Sequence, residues 1–203
     1  MKYAAKYIPL VGIFIFAVLF YFASLKYPGG HQEDLHSNGY DWFQNYICNL
    51  TRPIAMNQML NPGRSYAIIA LNTLCISLIA FFYRTGNILG HNSISKRIIQ
   101  VSGFLTMFTA TFIFTGAHDL MILVSTVFGL ILIISMVREI NRSDLRFHKW
   151  FGLLCFVLLV LCNISNYALI GLHYLPLLQK ITLVICLSWI LSLNFRLDQP
   201  DVN

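Results

Sequence analysis

The stretch IIQVSGFLTMFTATFIFTGAHDLMILVSTVFGLILIISMV, residues Ile98–Val137, decides the fold of this chain. Its only charged residue is Asp119, which follows His118. A bilayer core about 30 Å thick is crossed by about 20 helical residues. The stretch is therefore long enough to cross twice, and the segment Thr115-Gly116-Ala117-His118-Asp119 is the predicted turn between the crossings.

The composition of the whole chain agrees with a membrane location. Hydrophobic residues make up 57% of the 203 residues, charged residues 11%, and the mean hydropathy is +0.67. An ordinary soluble domain contains about 25% charged residues. Because lipid accepts only segments whose backbone polar groups are paired internally, we expect an all-α, polytopic membrane helical bundle. Residues 1–203 form a single membrane domain in this interpretation.

Six apolar runs are long enough to be transmembrane helices. They cover residues 7–25, 66–83, 98–115, 120–137, 150–170 and 175–195, with approximate bounds. Lys2 and Lys6 precede the first run, as in a signal peptide, but Tyr21 and Ala23 do not form a small-x-small cleavage site. We interpret this run as an uncleaved first helix.

Basic residues are unequally divided between the two sides of the predicted bundle. One side receives Lys2, Lys6, Arg84, Lys96, Arg97, Arg138, Arg142, Arg146, Lys149 and Arg196, and the other receives Lys26, Arg52, Arg64 and Lys180. The positive-inside rule then places both termini in the cytoplasm, and the composition suits a bacterial inner membrane. The basic residues are scattered over short loops, so no nucleic-acid partner is expected.

The long outer loop, residues 26–65, has two parts. Its first part, up to Gly39, is polar and expected to be mobile. Its second part is apolar and aromatic, with residues at helical spacing at Phe43, Ile47, Leu50 and Ile54. We expect a short interfacial amphipathic helix here, which either covers the outer mouth of the bundle or anchors the loop in the membrane surface.

Polar side chains mark the outer half of the predicted bundle and are its candidate ligand-binding residues. They are Asn72, Ser125, Asn163, Asn166 and Tyr167 in the helices, His118 and Asp119 at the turn, and Trp42 in the loop. Amides within a bilayer need hydrogen-bond partners. Two interpretations stay open: they join helices to each other, or they line a polar cavity open to the outside.

The pair His118 and Asp119 also has a structural and a chemical interpretation. Asp119 suits the N-cap or the first turn of a helix, a role without chemistry. His118 could act as a general acid or base near neutral pH. It could also bind zinc with two further ligands from His31, His36 or His173. No spacing defines such a site, so we assign no catalytic residue, metal ligand or cofactor.

Several functional classes are disfavoured by missing motifs. The sequence contains no phosphate-binding loop, HExxH, GxSxG or CxxC motif. No predicted helix carries the repeated arginines of a voltage sensor or the buried carboxylates of a proton pump. The absence of an internal repeat argues against an inverted-repeat carrier.

Three short segments carry a family resemblance. They are Tyr27-Pro28-Gly29-Gly30, Asn45-Tyr46-Ile47-Cys48-Asn49-Leu50, and Asn61 before the second helix. They resemble the pattern of an uncharacterised bacterial six-span membrane family, a domain of unknown function that is distantly similar to the damage-regulated autophagy modulator (DRAM)-like proteins. Cys48 and Asn49 stand where that family has Ser and Asp. The resemblance implies a six-span plan and adds no activity.

Three functions remain open from the sequence. The favoured one is a non-enzymatic protein that binds a membrane lipid or a small apolar ligand in an outward-facing polar cavity. The second is a membrane lipid hydrolase that uses His118 and Asp119, with or without a metal ion. The third is a structural or assembly subunit, whose protein partners the sequence does not identify.

Overall fold

The structure, a computed structural model, describes residues 6–143 and 145–198. These residues form six α-helices and one 3₁₀ turn, Ile47–Thr51, which lies between the first two helices. The helices are α1 Ile8–Leu25, α2 Arg64–Leu89, α3 Ser93–Ala110, α4 His118–Ile140, α5 Arg146–Ala168 and α6 Leu175–Arg196. The all-α prediction is confirmed.

Five helices are long and apolar enough to cross a membrane, namely α1, α2, α4, α5 and α6. By helix length and hydropathy, the chain is a multi-pass membrane protein. The exception, α3, has the length of a span with 18 residues. It includes Lys96 and Arg97 near its start, which lower its hydropathy.

The largest difference from the predicted spans is in α3, which begins and ends earlier than the apolar run 98–115. The side chain of Asn92 caps the start of α3 by accepting a hydrogen bond from Ser95 N at 2.8 Å. From Phe112 onward the backbone hydrogen bonds join residues three apart instead of four, as from Phe112 N to Thr109 O at 3.0 Å. Hydropathy identifies residues that suit lipid, whereas caps and tight turns determine where the helix begins and ends.

The order of the helices around the bundle follows the order in the chain. Each helix packs on the next one, and α6 returns to contact α1. Gly12 allows α1 to lie against α2, because a Cβ at this position would be 2.1 Å from Ser77 Oγ. At the closure between α6 and α1, Asn194 Nδ2 donates to Lys6 O at 2.7 Å. The helices therefore surround a central space.

The wall made by α4 and α5 is tightly packed at one end only. In α4 the buried residues start at Leu132 and continue to Ile140. In α5 they are His148, Gly152 and Cys155, all in its first half. The end of α4 and the start of α5 meet at the end of the bundle that carries most of the basic residues, which we call the basic end. Toward the opposite end, the two helices bury no residue.

Candidate functional site

The loop between α1 and α2, residues 26–63, is an ordered structure that we call the cap. Asn45 is fully buried at its centre. Its Nδ2 donates to Gly30 O at 2.7 Å, and its Oδ1 accepts from Asp41 N at 2.8 Å. One amide thus fixes the start of the cap to its middle, and the residues up to Gly39 are folded back by a hydrogen bond from Gly39 N to Pro28 O at 3.2 Å.

A second buried amide, Asn61, fixes the end of the cap. Its Nδ2 donates to Leu50 O and to Arg52 O, both at 3.0 Å. Its Oδ1 accepts from Gly63 N at 3.0 Å, one residue before α2 begins. The same side chain therefore holds the 3₁₀ turn against the start of α2.

Tyr27 and Gly30 complete this framework. The Tyr27 hydroxyl accepts from Met56 N at 3.1 Å, and the ring is almost fully buried. Gly30 has a φ of +84°, and a Cβ there would be 2.4 Å from Asn57 N. Only glycine satisfies both the positive φ and the close backbone contact. The segments that carry the family resemblance are thus the residues that connect the cap internally.

The predicted interfacial helix in this loop is wrong in its form. The structure has the 3₁₀ turn Ile47–Thr51, and the flanking residues are turns and extended segments. Asp41 Oδ1 accepts from Phe43 N at 2.7 Å and Gln44 N at 3.0 Å, which gives a local turn instead of a continuing helix. Of the residues at helical spacing, Leu50 is buried and Ile47 is half-buried, whereas Phe43 and Ile54 are exposed, because the buried amides determine the backbone path.

The cap is also fixed to α6 and α1. Lys180 of α6 donates from Nζ to Asn45 O and to Pro176 O, the latter at 3.2 Å. Its ammonium lies 5.6 Å from the centre of the Tyr40 ring. The Trp42 ring packs edge-on against Tyr40 and against Phe20 of α1, with centroids 5.2 and 6.2 Å apart. Trp42 is thus a cap residue with 44% of its surface exposed.

Beneath the cap, the helices enclose an apolar cavity of about 400 Å³. Residues of α2, α3, α4, α5 and α6 line it, including Leu74, Phe82, Met107, Leu130, Met136 and Trp189. A smaller space of about 170 Å³ lies between it and the cap. Both spaces share Ile47 of the cap and Gln179 of α6. The two spaces are therefore neighbours beneath the 3₁₀ turn, and we call them together the chamber.

The chamber is less polar than the sequence predicted. Two of its hydroxyl groups already have backbone partners: Ser125 Oγ donates to Thr106 O at 3.0 Å, and Thr182 Oγ1 donates to Leu178 O at 2.7 Å. Cys162 Sγ lies 3.3 Å from the Thr182 hydroxyl. Gln179, which the sequence analysis did not select, places an amide at the junction of the two spaces.

The structure does not gather the predicted amides in this chamber. Asn72 Nδ2 donates to Ile68 O at 2.8 Å, and Asn163 Nδ2 donates to Leu159 O at 2.7 Å, each within its own helix. Asn166 and Tyr167 are exposed at the end of α5. Of the eight candidate residues, Ser125 lines the chamber. A polar side chain among apolar neighbours can donate a hydrogen bond to the backbone carbonyl one turn earlier in its own helix. The spacing of residues in the sequence does not reveal this bond.

His118 and Asp119 begin α4 and pair with each other. His118 Nδ1 lies 2.9 Å from Asp119 Oδ1, and the Asp119 carboxylate is fully exposed. Ala117 occupies the N-cap position, so Asp119 stands in the first turn, where a carboxylate interacts favourably with the helix dipole. Within residues 6–143 and 145–198, no three His, Cys, Asp or Glu side chains are placed to hold a metal ion.

Burial in the cap changes the acidity of its own side chains. Burial raises the pKa of the Tyr40 phenol far above its usual value, and coulombic interactions with the ionised forms of Cys48 and Tyr27 and with the Asp41 carboxylate raise it further. Burial also raises the pKa of the Cys48 thiol and of the Tyr27 phenol. These groups are therefore protonated at neutral pH and act as packing and hydrogen-bonding groups.

At the basic end lies a buried carboxylate that no sequence motif indicated. Glu139 of α4 accepts from Ser95 Oγ at 3.0 Å and from His91 N at 3.1 Å. Arg142 Nη1 lies 3.3 Å from the same side chain. Glu139 thus connects the end of α4 to the start of α3 and to the residues before it. Glu139 lies beside a loop and among charged residues in the sequence, so its burial could not be predicted from the sequence pattern.

No protein-family model, curated protein or solved structure matches this chain.

Proposed function

We propose that this protein binds a membrane lipid or a small apolar ligand in the chamber beneath the cap. The observation that carries the proposal is the apolar cavity of about 400 Å³, next to the space of about 170 Å³ under the 3₁₀ turn. Small-molecule sites are typically cavities of about 300–1,000 Å³ with apolar walls and few polar groups. The chamber has this size and this chemistry.

A ligand from the bilayer has a route into the chamber. The part of α4 before Leu132 and the part of α5 after Cys155 contain no buried residue. Helices that pack loosely along half their length separate more easily than tightly packed ones. A lipid chain or another apolar molecule would enter between α4 and α5 without passing through water.

The polar groups of the chamber favour an uncharged ligand group. Gln179 contributes an amide where the two spaces join, and no Asp, Glu, Lys or Arg is among the described residues that line either space. An ion without a partner would be strongly disfavoured in such surroundings. The expected ligand therefore carries a hydroxyl, ester or carbonyl group near Gln179 and an apolar part near Leu130.

The test compares two tryptophan variants that differ by one position on α4. Leu130 lines the chamber, whereas Ile131 lies on the outer surface with 41% exposure. Leu130→Trp places an indole in the chamber, and Ile131→Trp adds the same side chain outside it. We expect wild-type and Ile131→Trp protein, purified in a mild detergent, to retain a co-purified apolar molecule in native mass spectrometry. Leu130→Trp should reduce its occupancy by about tenfold, which corresponds to about 1.4 kcal/mol.

Two results would contradict the proposal. The first is that organic extraction and mass spectrometry of wild-type protein taken directly from membranes detect no bound molecule. The second is that Leu130→Trp and Ile131→Trp retain the same molecule equally. If the two variants have the same thermal unfolding midpoint, a difference in ligand occupancy comes from the filled chamber and not from a loss of stability.

We also propose that all six helices cross a bacterial inner membrane, with both termini in the cytoplasm. The supporting observation is that α3 packs between α2 and α4, two helices that are long and apolar enough to span. The basic end would then face the cytoplasm, as the positive-inside rule requires. Cysteine accessibility at the exposed positions Leu60 and Arg97 in intact cells would distinguish the two sides.

The remaining alternatives from the sequence stay predictions. A hydrolase would use the His118–Asp119 pair, which lies at the exposed start of α4. An assembly subunit would require a protein partner. Membership of the uncharacterised six-span family is likewise a proposal, supported by the role of Tyr27, Gly30, Asn45 and Asn61 as the framework of the cap.

A further inference from the structure

A second cavity, separate from the chamber, lies between α4 and α5 at the basic end. It has a volume of about 310 Å³. Its lining combines three polar residues with five apolar ones: Arg138, Asn141 and Lys149, and Ile133, Ile134, Val137, Leu153 and Phe156. Its wall is almost entirely apolar, and the cationic residues Arg138 and Lys149 border it at one end. We call it the basic groove. It shares only Ile133 with the chamber lining.

The polar and apolar residues are separated along the groove. Arg138 and Asn141 lie at the end of α4, and Lys149 lies near the start of α5. Ile134 lies one turn deeper in α4 than Arg138, and Leu153 lies one turn deeper in α5 than Lys149. Phe156 lies about 10 Å beyond Lys149 at 1.5 Å per residue. The groove thus has a cationic end beside the loop and an apolar end within the bundle.

The two cations of the groove are not neutralised by the described part of the chain. Arg142 is paired with Glu139, and Arg84 is paired with Asp198. In contrast, no carboxylate within residues 6–143 and 145–198 forms an ion pair with Arg138 or Lys149. The Lys149 ammonium lies 5.4 Å from the centre of the Trp150 ring, a neutral contact.

We propose that the basic groove binds the headgroup and the adjoining acyl chain of an anionic phospholipid. The phosphate would lie between Arg138 and Lys149, with the Asn141 amide as an additional hydrogen-bond donor. The acyl chain would follow Val137, Leu153 and Phe156. Basic pockets between transmembrane helices attract anionic headgroups, with a contribution of about 1 kcal/mol from each cation.

The neighbouring side chain Trp150 supports a position at the membrane surface. It is 67% exposed next to Lys149. Tryptophan is enriched where the bilayer meets water, because its ring is apolar and its N–H is polar. The cationic end of the groove therefore lies at headgroup depth, and its apolar end lies at acyl-chain depth.

The test uses the full chain in nanodiscs that contain equal amounts of phosphatidylglycerol and phosphatidylcholine. Native mass spectrometry then counts the lipids that stay bound after the protein is released from the nanodisc. We expect wild-type protein to retain phosphatidylglycerol in preference to phosphatidylcholine. Arg138→Gln with Lys149→Gln should reduce this retention about 25-fold, the product of about fivefold for each cation.

A matched control removes the same charges elsewhere at the basic end. Lys96 and Arg97 lie in α3, outside the groove. Lys96→Gln with Arg97→Gln should keep the lipid, and an equal loss in this variant would overturn the proposal in favour of general surface attraction. The double variant Arg138→Lys with Lys149→Arg keeps both positive charges and should keep most of the lipid retention. It shows whether the loss in the glutamine variant comes from the missing charges or from misfolding.

Two further results would also overturn the proposal. One is equal retention of both lipids by wild-type protein, a comparison that requires no variant. The other is displacement of the lipid by millimolar glycerol phosphate, which would identify a site for a soluble phosphate. The chamber variant Leu130→Trp should leave phosphatidylglycerol retention unchanged, so a failure here and a failure of the chamber proposal are distinguishable.

Discussion

The cap and the basic end close opposite ends of the same bundle with different chemistry. In the cap, the buried amides of Asn45 and Asn61 bind backbone groups of segments that are distant in the sequence. At the basic end, the ties are made by charged side chains, with Arg84 bound to Asp198 and Glu139 bound to Ser95. The ties inside the cap are thus mostly neutral, with Lys180 as a charged tie to α6, whereas the ties of the basic end are mostly made by ionised side chains.

The two ends use different chemistry because they hold different groups in place. The cap is a long irregular loop, so its backbone carbonyls lack helical partners and need donors from side chains. An amide supplies a donor and an acceptor together. At the basic end, the helix termini lie close to short loops, so few backbone groups need a side-chain partner. The Arg84–Asp198 pair is partly exposed, so water reduces the cost of its burial, whereas the buried Glu139 carboxylate is satisfied by its own hydrogen-bond donors.

The largest effect should come from removing an amide of the cap. Asn61→Ala deletes three hydrogen bonds, two to carbonyls and one from Gly63 N. At about 1 kcal/mol for each bond, the cap should lose about 3 kcal/mol of stability against local opening. Hydrogen exchange measured by mass spectrometry on the 3₁₀ turn Ile47–Thr51 would report this as faster exchange of its amides.

Asn57→Ala is the matched control in the same loop. Its Oδ1 accepts one exposed hydrogen bond, from Met59 N at 3.1 Å. We expect a loss of less than about 1 kcal/mol and little change in exchange at the 3₁₀ turn. Similar exchange in both variants would show that the buried amides do not hold the cap.

The sequence predicted the helices well and the cap poorly, for one physical reason. Apolar runs report the burial of whole segments, and all six runs correspond to helices. The cap depends on where single amides find their partners, as Asn45 does on Gly30. Such a contact joins positions fifteen residues apart and has no period that a sequence pattern can detect.

The same limit applies to the candidate site. Asn72 and Asn163 are polar residues in apolar helices, which is typical of cavity linings and of helix contacts alike. The structure turns both amides to carbonyls of their own helices. Ser125 is the exception, because its hydroxyl reaches Thr106 O on the neighbouring helix. The direction of a side chain follows from packing, which composition does not encode.

A smaller effect is expected from Glu139→Gln at the basic end. Its two carboxylate oxygens accept from Ser95 Oγ and from His91 N, and glutamine keeps one acceptor. The loss should be about 1–2 kcal/mol, seen as faster exchange at the start of α3, with no change in the cap. Arg142→Gln removes only an exposed partner and should cost less than about 1 kcal/mol. Faster exchange in the cap of Glu139→Gln would contradict the independence of the two ends.

The smallest effect at neutral pH, and the most specific one, concerns Tyr40. Its hydroxyl donates to Tyr46 O at 3.2 Å, so Tyr40→Phe should cost about 1 kcal/mol there. Because burial raises the pKa of Tyr40 in the folded chain, the unfolded chain ionises first, near pH 10. The folded state then binds more protons, and stability falls as the pH rises above about 10. Exchange of the 3₁₀ turn should therefore accelerate less steeply with alkali in Tyr40→Phe than in wild type, after correction for the intrinsic exchange rate. The exposed control Tyr83→Phe should keep the wild-type slope, and an equal slope in all three proteins would show that the Tyr40 phenol does not make the cap sensitive to alkali.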